Sequence, residues 1–118
     1  MPKILLVEDD KSIVENLTAF LAKEGFEVNA AKGQSSALSW LEKGTYDLVL
    51  LDVSLADGNG FAVCSEIKSK WNIPVIFLTA SGDEYSVVAG FDVGADDYVS
   101  KPFRPRELVS RIKNVLRR

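Results

Sequence analysis

DLVLLDVSLADGNG, residues Asp47 to Gly60, contains an unbroken apolar run, Leu48 to Leu51, that stops at a carboxylate, Asp52. An apolar run without alternation marks a strand buried on both faces, as in the middle of a parallel sheet. Asp57, Gly58, Asn59 and Gly60 follow as a cluster of turn formers. A carboxylate at the C-terminal end of a central parallel strand stands where open α/β sheets hold their ligands. The stretch alone leaves a second reading open, in which Asp52 only begins the loop.

Outward from that strand the chain alternates strands and helices. Lys3 to Val7 is an apolar strand ending in Glu8, Asp9 and Asp10, and Asp10 is placed to cap the next helix. That helix, Lys11 to Glu24, carries Ile13, Leu17, Phe20 and Leu21 on one stripe with Val14 beside it, and Gly25 closes it. Phe26 to Ala31 alternates, with Phe26, Val28 and Ala30 on one side, which predicts a strand nearer the sheet edge. Gln34 to Lys43 is a short helix with Ala37, Leu38 and Leu41 inward, ended by Gly44. Beyond the central strand, Phe61, Cys64 and Ile67 recur at helical spacing as far as Lys70. Ile73 to Leu78 is a second fully apolar strand, ending in Thr79, Ala80, Ser81 and Gly82.

The helix predicted over Asp83 to Val93 is a weak one. Val87, Val88 and Gly90 each cost from some tenths to ~1 kcal/mol relative to Ala, and a weak helix beside a site is a candidate moving part. Asp97 to Ser100 is a short last strand, followed by Lys101-Pro102. Pro105 sits at the start of the final helix, where its missing N–H costs nothing. Leu108, Val109, Ile112, Val115 and Leu116 form that helix's inner face, and Glu107 can pair with Arg111 one turn on. Five strands alternating with five helices predict an α/β domain, a doubly wound five-stranded parallel sheet covered on both faces. There is no internal repeat, low-complexity segment or linker, and 118 residues suit one domain.

Composition removes several classes of function. The chain has no histidine, so Ser-His and Cys-His catalysis and histidine-ligated metals are excluded within it. Its single cysteine, Cys64, cannot form an internal disulfide and reads as a small buried hydrophobe in a reducing cytoplasm. No apolar run approaches the ~20 residues of a membrane helix, and the N-terminus MPKILLV lacks the marks of a signal peptide. A net charge of −3 argues against nucleic-acid binding by the domain as a whole, although basic residues gather between Arg104 and Arg118.

A parallel sheet delivers the loops after its strands to one edge. Here those ends carry Glu8 with Asp9, then Asp52, Thr79 and Lys101. Each has a plain alternative, as a helix cap, a turn hydroxyl or a solvated lysine. Together they suit one chemistry. Glu8, Asp9 and Asp52 would repel one another unless a divalent cation joined them. Mg²⁺ takes oxygen ligands and is held by one or two carboxylates with waters. The Ser54 carbonyl can add an oxygen. A carboxylate can itself be phosphorylated, and phosphoryl transfer needs in-line positioning and charge neutralisation. Lys101 offers the positive charge and Thr79 a hydroxyl.

Read together, LLVEDD, DLVLLDVSLADGNG, VIFLTASG and GADDYVSKPF resemble the receiver (CheY-like) domain of two-component response regulators, over the whole chain. The ending PFRPRELVSRIKNVLRR resembles the OmpR/PhoB subfamily in particular. The resemblance implies the flavodoxin/CheY-like strand order 2-1-3-4-5. It implies Asp52 as phosphoacceptor from a sensor histidine kinase, and Mg²⁺ or Mn²⁺ on Glu8, Asp9, Asp52 and the Ser54 carbonyl. Thr79 and Lys101 would contact the phosphoryl group, and Tyr98 would be the aromatic switch that turns inward when Thr79 moves. The Lys101-Pro102 bond would be cis, where trans is the default from sequence alone.

It further implies a cytoplasmic regulatory domain rather than an enzyme, whose phosphorylation favours a homodimer through the fourth helix, fifth strand and fifth helix. Asp92, Asp96, Asp97, Glu107, Arg111, Lys113 and Arg118 fit that charged surface, while Val87 stands where the subfamily has Lys or Arg. A winged-helix DNA-binding domain would normally follow, making residues 1–118 a single receiver domain apart from its effector. Two other departures concern the site. Ala56 replaces the usual proline, and Ser54 and Ser81 lie two residues beyond Asp52 and Thr79, positions that govern water access to the phosphoryl group.

Other classes fit less well. An aspartate-nucleophile hydrolase of the haloacid-dehalogenase kind wants a second Asp where Ser54 stands, and a cap domain. A flavodoxin-like cofactor site wants a Gly/Ser/Thr-rich phosphate loop after the first strand. A receiver-like interaction module independent of phosphorylation is the alternative that the fold permits.

Overall fold

The computed structural model describes residues 1–55, 58–80 and 84–118. The expectations for Ala56, Asp57 and Ser81, and for a helix beginning at Asp83, lie outside the described residues. The elements run β1 (Lys3–Val7), α1 (Lys11–Lys23), β2 (Glu27–Ala31), α2 (Gln34–Lys43), β3 (Leu48–Asp52), α3 (Gly60–Lys70), β4 (Val75–Ala80), α4 (Glu84–Asp92), β5 (Asp97–Lys101) and α5 (Pro105–Leu116). All strand pairs are parallel and the sheet order is β2-β1-β3-β4-β5, the doubly wound sheet expected.

Every residue of β3 is buried, because α1 and α5 cover one face of the sheet and α2 and α3 the other. Strand alternation sorts the core accordingly. Leu6, Leu50, Leu78 and Val99 join Leu17, Leu21, Leu108 and Ile112. Val7, Leu51 and Phe77 join Ala37, Leu41, Val63, Cys64 and Ile67. Helix boundaries follow local chemistry. Asp10 accepts from the Ile13 N–H at 3.1 Å at the start of α1, and Gly25 follows its end at φ +95°. Asn59 caps α3 by accepting from Phe61 N–H at 2.7 Å.

The structure corrects the expected strands in detail. In β2, Phe26 and Val28 share one face as the alternation predicts, but Ala30 on that side is exposed while Ala31 on the other is buried. The reason is that α2 covers the second face, where Ala31 packs. The strand β4 begins two residues later than Ile73 and continues through Thr79 and Ala80, which pair with Ser100 and Lys101. The apolar run tracks the buried stretch, whereas the ladder tracks backbone pairing, and Pro74 has no N–H to give it.

At the β2 edge, the ladder bonds fix which backbone groups face outward. The Glu27 N–H bonds Pro2 and the Ala31 carbonyl bonds Glu8 on the β1 side, so Ala30 turns its carbonyl to the open edge. Trp40 covers it, donating its indole N–H to the Ala30 oxygen at 3.1 Å.

The order of strands matters for function. The chain leaves β1 toward β2, then crosses back to β3. The loops after β1 and β3 therefore diverge and open a crevice between them. Glu8 and Asp9 end one side of that crevice and Asp52 the other.

Candidate functional site

Glu8 lies one residue past β1, its backbone still tied to the sheet by Glu8 N–H to the Ala31 carbonyl at 3.0 Å. Its side chain is buried, and Oε2 accepts from the Asp10 N–H at 3.1 Å. Asp9, next to it, is exposed. Asp52 is the last residue of β3 and is 4% exposed. One of its oxygens, Oδ1, accepts from the Ser54 N–H at 3.1 Å, and Oδ2 accepts from Lys101 Nζ at 3.2 Å. Lys101 ends β5, two strands from β3, about 10 Å away at ordinary strand spacing. A long side chain is needed to cross above β4, and Nζ reaches Asp52 and also Glu8 Oε1, at 2.9 Å. The Lys101-Pro102 peptide beyond it is cis.

Alternation divides these residues between the two faces at the sheet edge. Asp52 and Lys101 are in phase with Leu50 and Val99, toward α1 and α5. Thr79 is in phase with Phe77 and Tyr98, toward the opposite face. Thr79 is buried, and Tyr98 is half-buried with its ring 5.5 Å from that of Phe77 and 5.2 Å from that of Phe91. The ring lies over Gly90, where a β-carbon would fall 1.8 Å from the Tyr98 hydroxyl.

The electrostatics follow from burial. Removal from water pushes the Glu8 carboxyl above its ordinary range; the Lys101 ammonium and the Asp10 N–H pull it back, and Asp52 adds to the rise. Burial alone would lower the Lys101 pKa, but Glu8 and Asp52 together raise it. One carboxylate oxygen from each of Glu8, Asp9 and Asp52 lies within 4.8 Å of the others. Lys101 supplies one positive charge against these three carboxylates. Glu8 Oε1 is buried beside Nζ in an ion pair with it. An all-oxygen set with excess negative charge and an open, exposed member fits a hard divalent cation such as Mg²⁺.

The sequence pattern of the response regulator receiver domain matches residues 4–113. The chain belongs to the response regulator receiver family. Among proteins similar to this receiver is the regulatory protein VanRc of Enterococcus gallinarum, 44% identical over 98% of the chain and 50% of that protein. The sensory transduction protein RegX3 of Mycolicibacterium smegmatis is 43% identical over the whole chain and 52% of its own length. The receiver thus spans about half the length of the curated relatives it matches. A two-component response regulator from Clostridium difficile superposes with TM-score 0.96 at 30% identity, covering 100% of this chain and 98% of that one. A CheY-like receiver domain protein from Methanospirillum hungatei gives TM-score 0.92 at 30% identity, covering 99% and 94%. No helix among the described residues is long and apolar enough to cross a membrane.

The charged residues expected at a dimer surface are distributed unevenly in this receiver. Asp92, Glu107, Lys113 and Arg118 are exposed. Asp97 is engaged within the chain, its two oxygens accepting from Arg111 Nη1 at 3.0 and 3.1 Å, with Glu107 3.7 Å from the same guanidinium. Asp96 is engaged more fully. One oxygen, Oδ2, accepts at 2.8 Å both from the Val75 N–H and from Lys68 Nζ, and Arg118 lies 3.9 Å from the other. This carboxylate brackets α3, the start of β4 and the start of β5. Sequence reading missed Lys68 as its partner because 28 residues separate them and no periodicity links the two. Gly90 was legible only as a weakness in α4; its close fit to Tyr98 shows what the missing side chain makes room for. Cys64 is buried, its thiol pushed up to about 11 chiefly by burial, as a packed and inert side chain would be.

Proposed function

We propose that this receiver takes a phosphoryl group onto Asp52 and that the modification controls an effector. The observation that carries the reading is the meeting of Glu8, Asp9, Asp52 and Lys101 at the sheet crevice. In the step proposed, an Asp52 oxygen attacks phosphorus in line, the bond from phosphorus to the donor nitrogen of a sensor kinase's phosphohistidine breaks, and that nitrogen keeps the bonding pair. Glu8, Asp9, Asp52 and the Ser54 carbonyl would hold Mg²⁺ or Mn²⁺. The bound cation supplies charge neutralisation at the phosphoryl oxygens. Lys101 is already beside Asp52 and would exchange carboxylate for phosphoryl oxygen with little movement. The Ser54 N–H orients the carboxylate.

Thr79 would report the phosphoryl group to Tyr98, its neighbour on the same face, and through Tyr98 to α4. We take the chain as an OmpR/PhoB-type receiver, acting in the cytoplasm, with residues 1–118 as the receiver domain and a winged-helix DNA-binding domain as its effector. Homodimerisation through α4, β5 and α5 would couple the two. Such a dimer would have to keep or trade the Asp97–Arg111 pair made within the chain. Lacking a basic residue at Val87, it would lose one cross-subunit pair worth ~0–1 kcal/mol.

Incubation with phosphoramidate and Mg²⁺ should add about 80 Da to the intact protein, the mass of one phosphoryl group. Asp52→Asn should abolish the adduct. No adduct on the unaltered protein, or an undiminished one on the variant, rejects the reading. If Asp52→Ala left regulation of the target intact, the phosphorylation-independent interaction module would replace it.

A further inference from the structure

The backbone that leaves Asp52 is gripped from two sides. On one side is α3. Its first residue, Gly60, approaches β3 so closely that a β-carbon there would fall 2.6 Å from the Asp52 carbonyl oxygen and 2.8 Å from that of Val53. The Gly60 N–H donates to the Val53 carbonyl at 3.3 Å. On the other side is α2. Gly58, at φ +93°, lies against Gln34, the first residue of α2: a β-carbon on Gly58 would fall 2.3 Å from Gln34 Oε1 and 2.7 Å from its Cβ. Gln34 is half-buried at this contact. A continuous path of touching groups therefore runs from α2 through Gln34 and Gly58 to Gly60 and the Asp52–Val53 backbone. It ends at the Ser54 N–H on Asp52 Oδ1.

We infer that Gln34, pressed against Gly58, is a positioning residue for Asp52: through Gly58 and Gly60 it holds the Asp52–Val53 backbone in the place that keeps the Ser54 amide on the carboxylate. Contact from α2 constrains this backbone from outside its own strand. The inference rests on the reading of Asp52 as phosphoacceptor only for its consequence in phosphorylation; the mechanical part stands apart from it.

The test compares Gln34→Ala and Gln34→Met with the unaltered chain. Methionine fills the glutamine's volume without its amide, so it should preserve a brace made by packing. The first arm is amide hydrogen exchange without metal or phosphate. In Gln34→Ala, the Ser54 and Gly60 amides should exchange about fivefold or more faster, while Leu6 and Leu50 in the central strands keep their protection. The second arm is Mg²⁺ titration followed by amide chemical shifts. Half-saturation should rise about three- to tenfold, at or below the low end of the effects usual for groups that orient metal ligands. Gln34→Met should restore both within about twofold. Ser54 and Gly60 exchange unchanged in Gln34→Ala, exchange accelerated equally in Leu6 and Leu50, or no recovery in Gln34→Met would each overturn the inference. Because the exchange arm involves no phosphoryl group, its failure is distinct from a failure of Asp52 to be modified.

Discussion

The two faces of the sheet meet the site in different ways. On the α1 and α5 side, Asp52 ends a fully buried strand and Lys101 follows the buried Val99 in β5, and Glu8 joins them with its backbone tied into the ladder. Beneath them Leu6, Leu50 and Leu78 are wholly buried. On the other side, Thr79 shares a face with Tyr98, whose ring packs on Gly90 and Phe91 of α4, a helix of nine residues with Val88 55% and Phe91 50% exposed. Its described C-terminal end is held by the bracket that Asp96 makes with Lys68 and Val75, and by the Cys64 thiol donating to the Val93 carbonyl at 3.7 Å. The difference teaches that the acid cluster and its lysine lie on one face, while the aromatic packing against α4 lies on the other. Thr79, buried at the edge, belongs with the second.

Changes on the first face should act on the whole fold. Leu50→Ala should cost about 2–5 kcal/mol in urea unfolding, the range for a truncated core leucine. A loss under about 1 kcal/mol would mean the central core is less tightly packed than its burial implies. Lys101→Met should cost less, about 1–3 kcal/mol. Removing one partner of a buried ion pair costs ~3–5 kcal/mol, but the Lys101 side chain is 27% exposed, so water screens part of the loss. Adding Mg²⁺ should recover stability in that variant if the acid cluster is a cation site, because the ion would replace the missing positive charge.

On the second face, Gly90→Ala tests how closely Tyr98 is packed against α4. Alanine favours the helix by up to ~1 kcal/mol, yet its β-carbon would coincide with the Tyr98 hydroxyl. We expect the ring to be expelled, with a net loss of about 1–2 kcal/mol and a gain in tyrosine accessibility to solvent quenchers. Unchanged accessibility would contradict the tight fit.

The smallest effect should be that of pH on Glu8, because the Lys101 ammonium opposes the rise that burial causes. The folded pKa of Glu8 is raised, so the folded chain holds this proton after the unfolded chain has lost it. Stability from this group therefore falls as pH rises above the unfolded value of about 4.5 and levels off beyond the folded one. Urea unfolding without metal, across that window, should show a component of decline that Glu8→Gln lacks.

Much of this was legible in the sequence because buried parallel strands leave long apolar runs. Leu48 to Leu51 and Ile4 to Val7 have no other comfortable home, and once the strands were placed, topology brought Glu8, Asp52 and Lys101 to one edge. What was not legible depended on partners far apart in the chain. Ala31 is inward because α2 covers β2, a fact no local alternation carries. Asp96 looks like any surface acid until Lys68 and the Val75 amide are found around it. Gly90 and Tyr98 are eight positions apart, and the gap left by a missing side chain becomes visible only when the ring fills it.

The indole of Trp40 on the outward Ala30 carbonyl has a consequence for the behaviour of many copies together. An open strand edge is adhesive toward the edges of other molecules, since its unpaired carbonyls and amides can extend a sheet without limit. Trp40 blunts that edge at one of its outward-facing carbonyls. Each carbonyl withdrawn in this way leaves one fewer with which another copy's strand can pair.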